Sequence, residues 1–326
     1  MIKRGANDLT GVKMLALYKD MLLIRRFEEK LVELCRVEGK IPGMMILCTG
    51  QEAVAAGACG ALEPDDVIIG NHRSHGHLIA KGADPKLIMA EIFGKRTGYN
   101  KGKSGTLHIA APEVNALCTT TVVGGGIPIA VGTAFAQQYK KNRSVTVCFF
   151  GDGAADEGSF HEALNLAALW RLPVIFICEN NVYAGAQRME EHTRVKDVAL
   201  RAAAYGMTGE VVDGNNAVAV YEAVAGARQR CLDGEGPALL ECKTYRWRGH
   251  GELDHQVYQP KEEIAVWMQR CPVKGLENRL LADGLVTKAA LVEMEEEVSA
   301  VVEEAVRFAE ESPWPAPEEA LEDVYV

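Results

Sequence analysis

Apolar residues recur at helical spacing over positions 14–35, with Leu15, Tyr18 and Leu22 followed by Ile24, Phe27, Leu31 and Leu34, until Gly39 ends the pattern. This predicts a long amphipathic helix. The stretch 51–62 is rich in alanine and glycine, which suits a tightly packed helix, and Pro64-Asp65-Asp66 then turns the chain into a short apolar strand, Val67-Ile68-Ile69. A Gly- and His-rich loop is expected next. The middle third alternates: strand 144–150, helix 159–170, strand 173–179, strand 209–213, helix 217–231, strand 237–245. Strands at this spacing, each followed by a helix or long loop, predict a doubly wound, mostly parallel α/β sheet. The near-continuous apolar run Val145-Thr146-Val147-Cys148-Phe149-Phe150 fits a strand covered on both faces. Beyond Lys261 the chain turns helical again, through an acidic amphipathic stretch 288–311 to a Pro-rich tail. No repeat or linker is visible, so residues 1–326 are read as one domain with helical extensions at about 1–40 and 261–326.

Composition narrows the chemistry. A formal charge of −10, without a Lys/Arg-rich block, gives no electrostatic basis for binding nucleic acid or an anionic membrane. The opening MIKRGANDLTGVKML lacks a secretory apolar run, and no segment reaches the roughly 18 apolar residues of a membrane span, so a cytoplasmic location is expected. Nine cysteines, an odd number with no C-x-x-C pair, read as reduced thiols; Cys148, Cys178 and Cys242 fall in strand-like runs, where they pack as small hydrophobes.

The strongest chemical signal is Gly151-Asp152-Gly153 directly after one strand and Asn180-Asn181 directly after the next. In an open α/β sheet, ligands bind at the carboxyl ends of strands, so these loops can meet at one point. Asp152 offers a carboxylate oxygen and Asn181 a carbonyl oxygen, the donors Mg²⁺ prefers, while Gly151 and Gly153 let backbone approach a diphosphate. GDG alone is a common turn. GDG after a strand, an intervening EALNLAALW helix and a second strand ending in ENN, with Asp152 and Asn181 29 positions apart, together resemble the binding fingerprint of thiamine diphosphate enzymes.

From about Leu22 to the C-terminal tail, the sequence resembles the α subunits of thiamine diphosphate-dependent 2-oxo acid and acetoin dehydrogenases. The segment GDGAADEGSFHEALNLAALWRLPVIFICENNVYA is similar to the family's cofactor segment almost position for position. The resemblance implies that Asp152, Asn181 and the carbonyl of Tyr183 carry Mg²⁺, with Gly153 and Ala154 against the diphosphate. Arg73 is implied in charge-assisted hydrogen bonds to diphosphate oxygens. His72 stands where pyruvate-type members usually have tyrosine, and the run Asn71-His72-Arg73-Ser74-His75-Gly76-His77 leans toward the acetoin enzymes, as does AEIFGKRTGYNKGKSGTLHIA, although Ser104 and Thr106 replace the more usual glycine and serine. A zinc site built from the three histidines is disfavoured, because no cysteine or carboxylate lies at ligand spacing and an arginine sits between them. The segment Thr121-Val122-Val123-Gly124-Gly125-Gly126-Ile127-Pro128 lacks both G-x-G-x-x-G spacing and a preceding strand, which argues against a dinucleotide loop. By resemblance, its Thr121 and Val123 supply backbone hydrogen bonds to the aminopyrimidine ring, and it opens a helix over 130–139.

The segment from Tyr245 to Asp254 resembles the loop that closes over the cofactor, with His250 near the diphosphate and the reacting carbon. Gly251 occupies the place of a phosphorylatable serine, and no Ser or Thr occurs over 245–260, so inhibition by phosphorylation of this loop is not expected. Gln259 replaces an arginine common in the family, which puts the loop's ordered state in question. Arg25-Arg26-Phe27-Glu28-Glu29 is read as solvated or paired on a helix surface, the run 293–297 as a solvated face, and His161 and Glu162 as packing or solvent contacts.

The function implied is that of an acetoin dehydrogenase α subunit. Acetoin is cleaved to acetaldehyde and a cofactor-bound hydroxyethyl group, which is oxidised and passed to a lipoyl acyltransferase. His72 and His250 are the candidates for proton handling. The family's activating glutamate comes from a β subunit, so the expected assembly is a heterotetramer of two α and two β chains. Three alternatives stand beside it: a pyruvate or branched-chain 2-oxo acid dehydrogenase α subunit, a thiamine diphosphate-dependent carboligase without a lipoyl partner, and a non-catalytic paralogue.

Overall fold

The computed structural model describes residues 10–41 and 43–323. The reading of the chain's opening residues falls largely on 1–9, outside the described residues. α1 (Gly11–Val32) starts at Thr10, whose hydroxyl accepts from Lys13 N–H, and runs on through a π-helical turn, Glu33–Val37, to Gly39 at φ +62°. Helix α2 (Glu52–Gly60) precedes β1 (Val67–Gly70).

The stretch after β1 is only partly loop. His75–Lys81 forms α3, and α4 (Pro85–Ile92), capped by the Asp84 side chain, follows. β2 (Ala116–Thr119) leads directly into the glycine-rich segment, which therefore does have a preceding strand, and α5 (Gly126–Tyr139) begins four residues earlier than its pattern suggested. Next come β3 (Thr146–Gly151), a 3₁₀ turn at Asp152–Asp156, α6 (Gly158–Leu169) and β4 (Val174–Asn180). A small hairpin, β5 (Tyr183–Ala184) against β6 (Gln187–Arg188), and the single turn α7 (Met189–His192) intervene before β7 (Thr208–Asp213), α8 (Ala217–Leu232) and β8 (Ala238–Lys243). α9 (Lys261–Gln269), α10 (Pro272–Ala282) and α11 (Lys288–Glu311) follow, and a 3₁₀ turn at Pro317–Leu321 comes after them.

The six long strands form one parallel sheet in the order β2-β1-β3-β4-β8-β7. Alternate residues of β3 feed two cores: Val147 and Phe149 pack with α1, α2, α4, α8 and α11, while Cys148 and Phe150 pack with α5 and α6. That is why β3 and β4 read as continuous apolar runs. All nine cysteines are free, and no helix among the described residues is long and apolar enough to cross a membrane.

α1 corrects one expectation. Its buried stripe includes Arg25 and Glu28, and Arg25 pairs with Glu52 at 2.6 Å while stacking on Trp247, so this is an interior ion pair rather than a surface one. Arg26 does lie at the surface, paired with Glu29 and Glu295.

Asp20, on the same helix, has its carboxyl pushed up to about 6 by burial, against the partial relief of Lys13 and Lys19. A carboxyl raised in the folded state contributes stability below its unfolded value of about 4 and loses it as pH rises through 6. Asp20→Asn is therefore expected to stabilise the chain by roughly 2 kcal/mol at pH 8 and to have almost no effect at pH 4. Thermal melts of both proteins at the two pH values check it; an equal shift at both would contradict this account.

Candidate active site

The chain leaves β1 for β2 on one side and returns to β3 on the other, and at this switch point the strand ends diverge into a crevice. The loops after β1, β2, β3, β4 and β8 line a cleft of about 320 Å³, large enough for a small organic cofactor. It brings together His72, Arg73, Val123, Asp152, Gly153, Ala154, Asn181, Tyr183 and His250 from the sequence reading. Thr121 does not line it; Thr120 and Val122 do, and the Thr121 hydroxyl lies 3.1 Å from His108 Nε2 at the rim.

Asp152 opens the turn that follows β3 and is buried, yet its Oδ2 has no hydrogen-bond partner. The nearest basic group, His192, brings Nε2 to 3.3 Å while its Nδ1 is 2.5 Å from Asp156. An unsatisfied carboxylate oxygen in the interior is costly unless something binds it. Asn181 spends its amide N–H on Gln51 Oε1 at 3.1 Å, which fixes the amide's orientation, and its Oδ1 accepts from Tyr183 N–H at 3.3 Å. Val182 between Asn181 and Tyr183 sits at φ +79°, a strained conformation for a β-branched residue and one found where a loop is held in shape for a ligand. A carboxylate, an amide oxygen and a nearby backbone carbonyl make an all-oxygen set suited to Mg²⁺. Gly153 lies hard against the hairpin: a Cβ there would fall 2.6 Å from that of Ala184.

The cleft also carries positive charge outside any ion pair. Arg73 is buried and donates to the carbonyls of Leu47 and His250, both at 2.8 Å. Burial, reinforced by Arg246, pulls its pKa down to about 10. Arg246, immediately beyond β8, is buried as well; it donates to the Gly185 carbonyl and, at 2.9 Å, to the Tyr258 hydroxyl, and its Nε has no partner. Neither guanidinium is in an ion pair among the described residues. Two desolvated cations without a carboxylate favour an anion between them. Arg246 was missed as a site residue by sequence reading; its position just past a strand end, beside the glycine-histidine loop, was the available signal. His72 and His250 stand 5.6 Å apart between ring centres. Burial and then Arg73 push His72 down to about 3 and His250 down to about 4, so both imidazoles are neutral at physiological pH.

The three histidines after β1 part company. His75 bridges Glu28 at 2.7 Å and Thr106 at 2.6 Å, while His77 bonds Glu179 at 2.9 Å and stacks on Phe149. His161 is exposed and meets the Tyr205 hydroxyl. In the loop over 245–260, Gln259 is buried, donates to the Arg246 carbonyl at 3.1 Å and accepts from Gln256, while Asp254 accepts from both Tyr258 O–H and His250 N–H. Gly251 packs against Met44.

A family profile described as the dehydrogenase E1 component matches residues 19–318. The chain is 46% identical to the α subunit of acetoin:2,6-dichlorophenolindophenol oxidoreductase from Bacillus subtilis, over 100% of this chain and 97% of that protein. It is 41% identical to the protein of the same name from Cupriavidus necator, over 99% and 97%. Against the pyruvate dehydrogenase E1 component α subunit of Zymomonas mobilis the identity is 40%, over 96% and 89%.

Proposed function

The chain belongs to the dehydrogenase E1 component family, whose members are thiamine diphosphate-dependent oxidoreductases, and on that premise we propose that it is the α subunit of an acetoin dehydrogenase. The observation that carries the cofactor site is the cleft's unmet charge: a buried carboxylate oxygen without a hydrogen-bond partner and two buried guanidiniums outside any ion pair line the same cleft. Asp152, Asn181 and the Tyr183 carbonyl would hold Mg²⁺; Arg73 would hold the diphosphate, with Gly153, Ala154 and His250 beside it and His72 at the substrate end. Val123 would meet the aminopyrimidine ring through its backbone, with Thr120 and Val122 beside it in place of Thr121, which lies outside the cleft lining. When bound, thiamine diphosphate supplies a nucleophilic carbon and then an electron sink.

The chain's own residues bind, orient and exclude water. Arg73 offsets diphosphate charge, the strained turn at Val182 presents Asn181 and Tyr183, and the loop over 245–260 closes the cleft. The carboxylates lining the cleft are Asp152 and Glu179, and Glu179 is engaged by Asn71 at 2.7 Å and His77 at 2.9 Å. The activating glutamate is therefore assigned to a β subunit in an α₂β₂ assembly. Support comes from the outward faces of α5 and α6, where Ile129, Phe135, Leu166, Leu169 and Trp170 are exposed. An apolar patch of this kind fits a subunit contact. We also take the chain as one domain, located in the cytoplasm in keeping with its free thiols, and passing its acyl group to a lipoyl acyltransferase.

Oxidative decarboxylation of pyruvate is the second reading, and the 40% identity to the Zymomonas mobilis protein is compatible with it. His72 in place of tyrosine and the two relatives named for acetoin favour acetoin. Dye reduction by the chain co-expressed with its β subunit, with thiamine diphosphate and Mg²⁺, should be at least about tenfold faster on acetoin than on pyruvate, a discrimination of about 1.4 kcal/mol. Faster turnover of pyruvate would replace the first reading with the second.

A further inference from the structure

The ring of His250 stands between two cations. Its Nδ1 is 3.4 Å from Arg73 Nη2 and 3.4 Å from Arg246 Nη1. A guanidinium has donors only and keeps its charge. Both N–H groups can therefore be met only by an Nδ1 lone pair. A proton on Nδ1 would set three donors against one another, and an imidazolium would add a third positive charge. The remaining groups around the ring do not alter this. The Asp254 carboxylate is occupied by His250's own backbone N–H at 2.8 Å, by Gln256 N–H at 2.9 Å and by the Tyr258 hydroxyl at 2.6 Å. His72, 5.6 Å away between ring centres, is itself uncharged. Both arginines are held firmly: Arg73 by the Leu47 and His250 carbonyls, Arg246 by the Gly185 carbonyl and the Tyr258 hydroxyl.

We propose that Arg73 and Arg246 together lock His250 as the neutral tautomer protonated on Nε2, so that it serves as a fixed hydrogen-bond donor to an anionic oxygen in the cleft and not as a proton acceptor. Arg246 is then a positioning residue that acts through His250. The proposal rests on the reading that His250 faces the cofactor and substrate. A neutral imidazole is far too weak an acid to release its remaining proton, so Nε2–H stabilises negative charge without moving a proton, as neutral histidine electrophiles do elsewhere. The anionic oxygen belongs either to the diphosphate or to the substrate as its carbonyl gains charge; the chemistry at His250 is the same. Proton acceptance during turnover falls to another group.

The test uses the assembled α/β enzyme with ¹⁵N-labelled histidine, its spectrum assigned by difference from His250→Gln. The expected result is an unprotonated Nδ1 and a protonated Nε2, unchanged between about pH 5.5 and 8, with or without thiamine diphosphate and Mg²⁺. In Arg246→Gln the His250 titration should move up by about one pH unit or more, and Arg246→Lys should restore most of the wild-type behaviour. A wild-type signal from Nδ1–H, or from imidazolium at pH 7, overturns the proposal, and the wild-type spectrum decides even if Arg246→Gln does not fold. His250→Phe separates the two oxygens: weaker cofactor binding with normal turnover at saturation assigns the donor to the diphosphate, slower turnover with normal binding assigns it to the substrate, and no change in either overturns the donor role. Failure of the functional reading is distinguishable, because intact cofactor affinity in Asp152→Ala would sink that reading and leave the tautomer standing.

Discussion

Replacing Asp152 with alanine is expected to weaken Mg²⁺-dependent cofactor binding by about three orders of magnitude, about 4 kcal/mol, and to reduce turnover to background. The loss exceeds the 10- to 100-fold typical of groups that merely orient a ligand, because this carboxylate is assigned to the metal itself. The direction on stability is opposite. In the chain without ligand, Asp152 is buried with one oxygen lacking a hydrogen-bond partner, so its removal deletes a desolvation cost, while His192 loses its 3.3 Å approach to Asp152 and keeps its contact with Asp156. Melting of the ligand-free variant should therefore be unchanged or slightly higher. Cofactor titration by fluorescence quenching, paired with thermal melts, checks both halves. A large drop in melting temperature with affinity retained would make Asp152 a structural residue.

Arg73→Gln should lower cofactor affinity about 100-fold, close to 3 kcal/mol, the scale of a charge-assisted hydrogen bond in a desolvated site. Two opposing effects act on the chain alone. The carbonyls of Leu47 and His250 lose a donor, while repulsion between two buried guanidiniums disappears. These largely offset, so the main change should be in the response to ligand: saturating cofactor raises the melting temperature of the parent enzyme but barely that of the variant. Arg73→Lys keeps the charge but not the two-pronged geometry and should recover only part of the affinity. Equal protection of parent and variant would remove Arg73 from the diphosphate site.

What was legible in the sequence was whatever is carried by local spacing. The apolar runs of β3 and β4 with the helix between them, and the motifs that follow each strand, are enough to put Asp152 and Asn181 at strand ends. Short elements escaped for a physical reason. β2 has four residues, of which Leu117 is exposed, and α3 is a single pair of turns hidden in a histidine- and glycine-rich stretch, so neither builds a period long enough to detect. Interior polar pairs escaped because their partners are remote: Asn181 depends on Gln51, 130 residues away, and Arg25 on Glu52. A trace existed for the latter, since Leu17, Met21, Ile24, Glu28 and Leu31 follow one buried stripe, and a charged residue in such a stripe calls for a buried partner.

The lining of the cleft, which runs from Gly70 to His250 and draws on five strand ends, bears on how long each molecule survives. No fragment carries the complete ligand site, because the parallel strands supplying it are joined only by long crossovers whose closure entropy must be overcome first. A transition state for folding that has not yet docked the loop beyond β8 cannot discriminate in favour of the cofactor. Newly made chains should then fold at the same speed whether or not thiamine diphosphate is present. All of the ligand's stabilisation appears instead as a slower unfolding rate, and hence as a longer half-life against heat and proteolysis. Enzyme abundance would in this way follow vitamin supply through decay rather than synthesis.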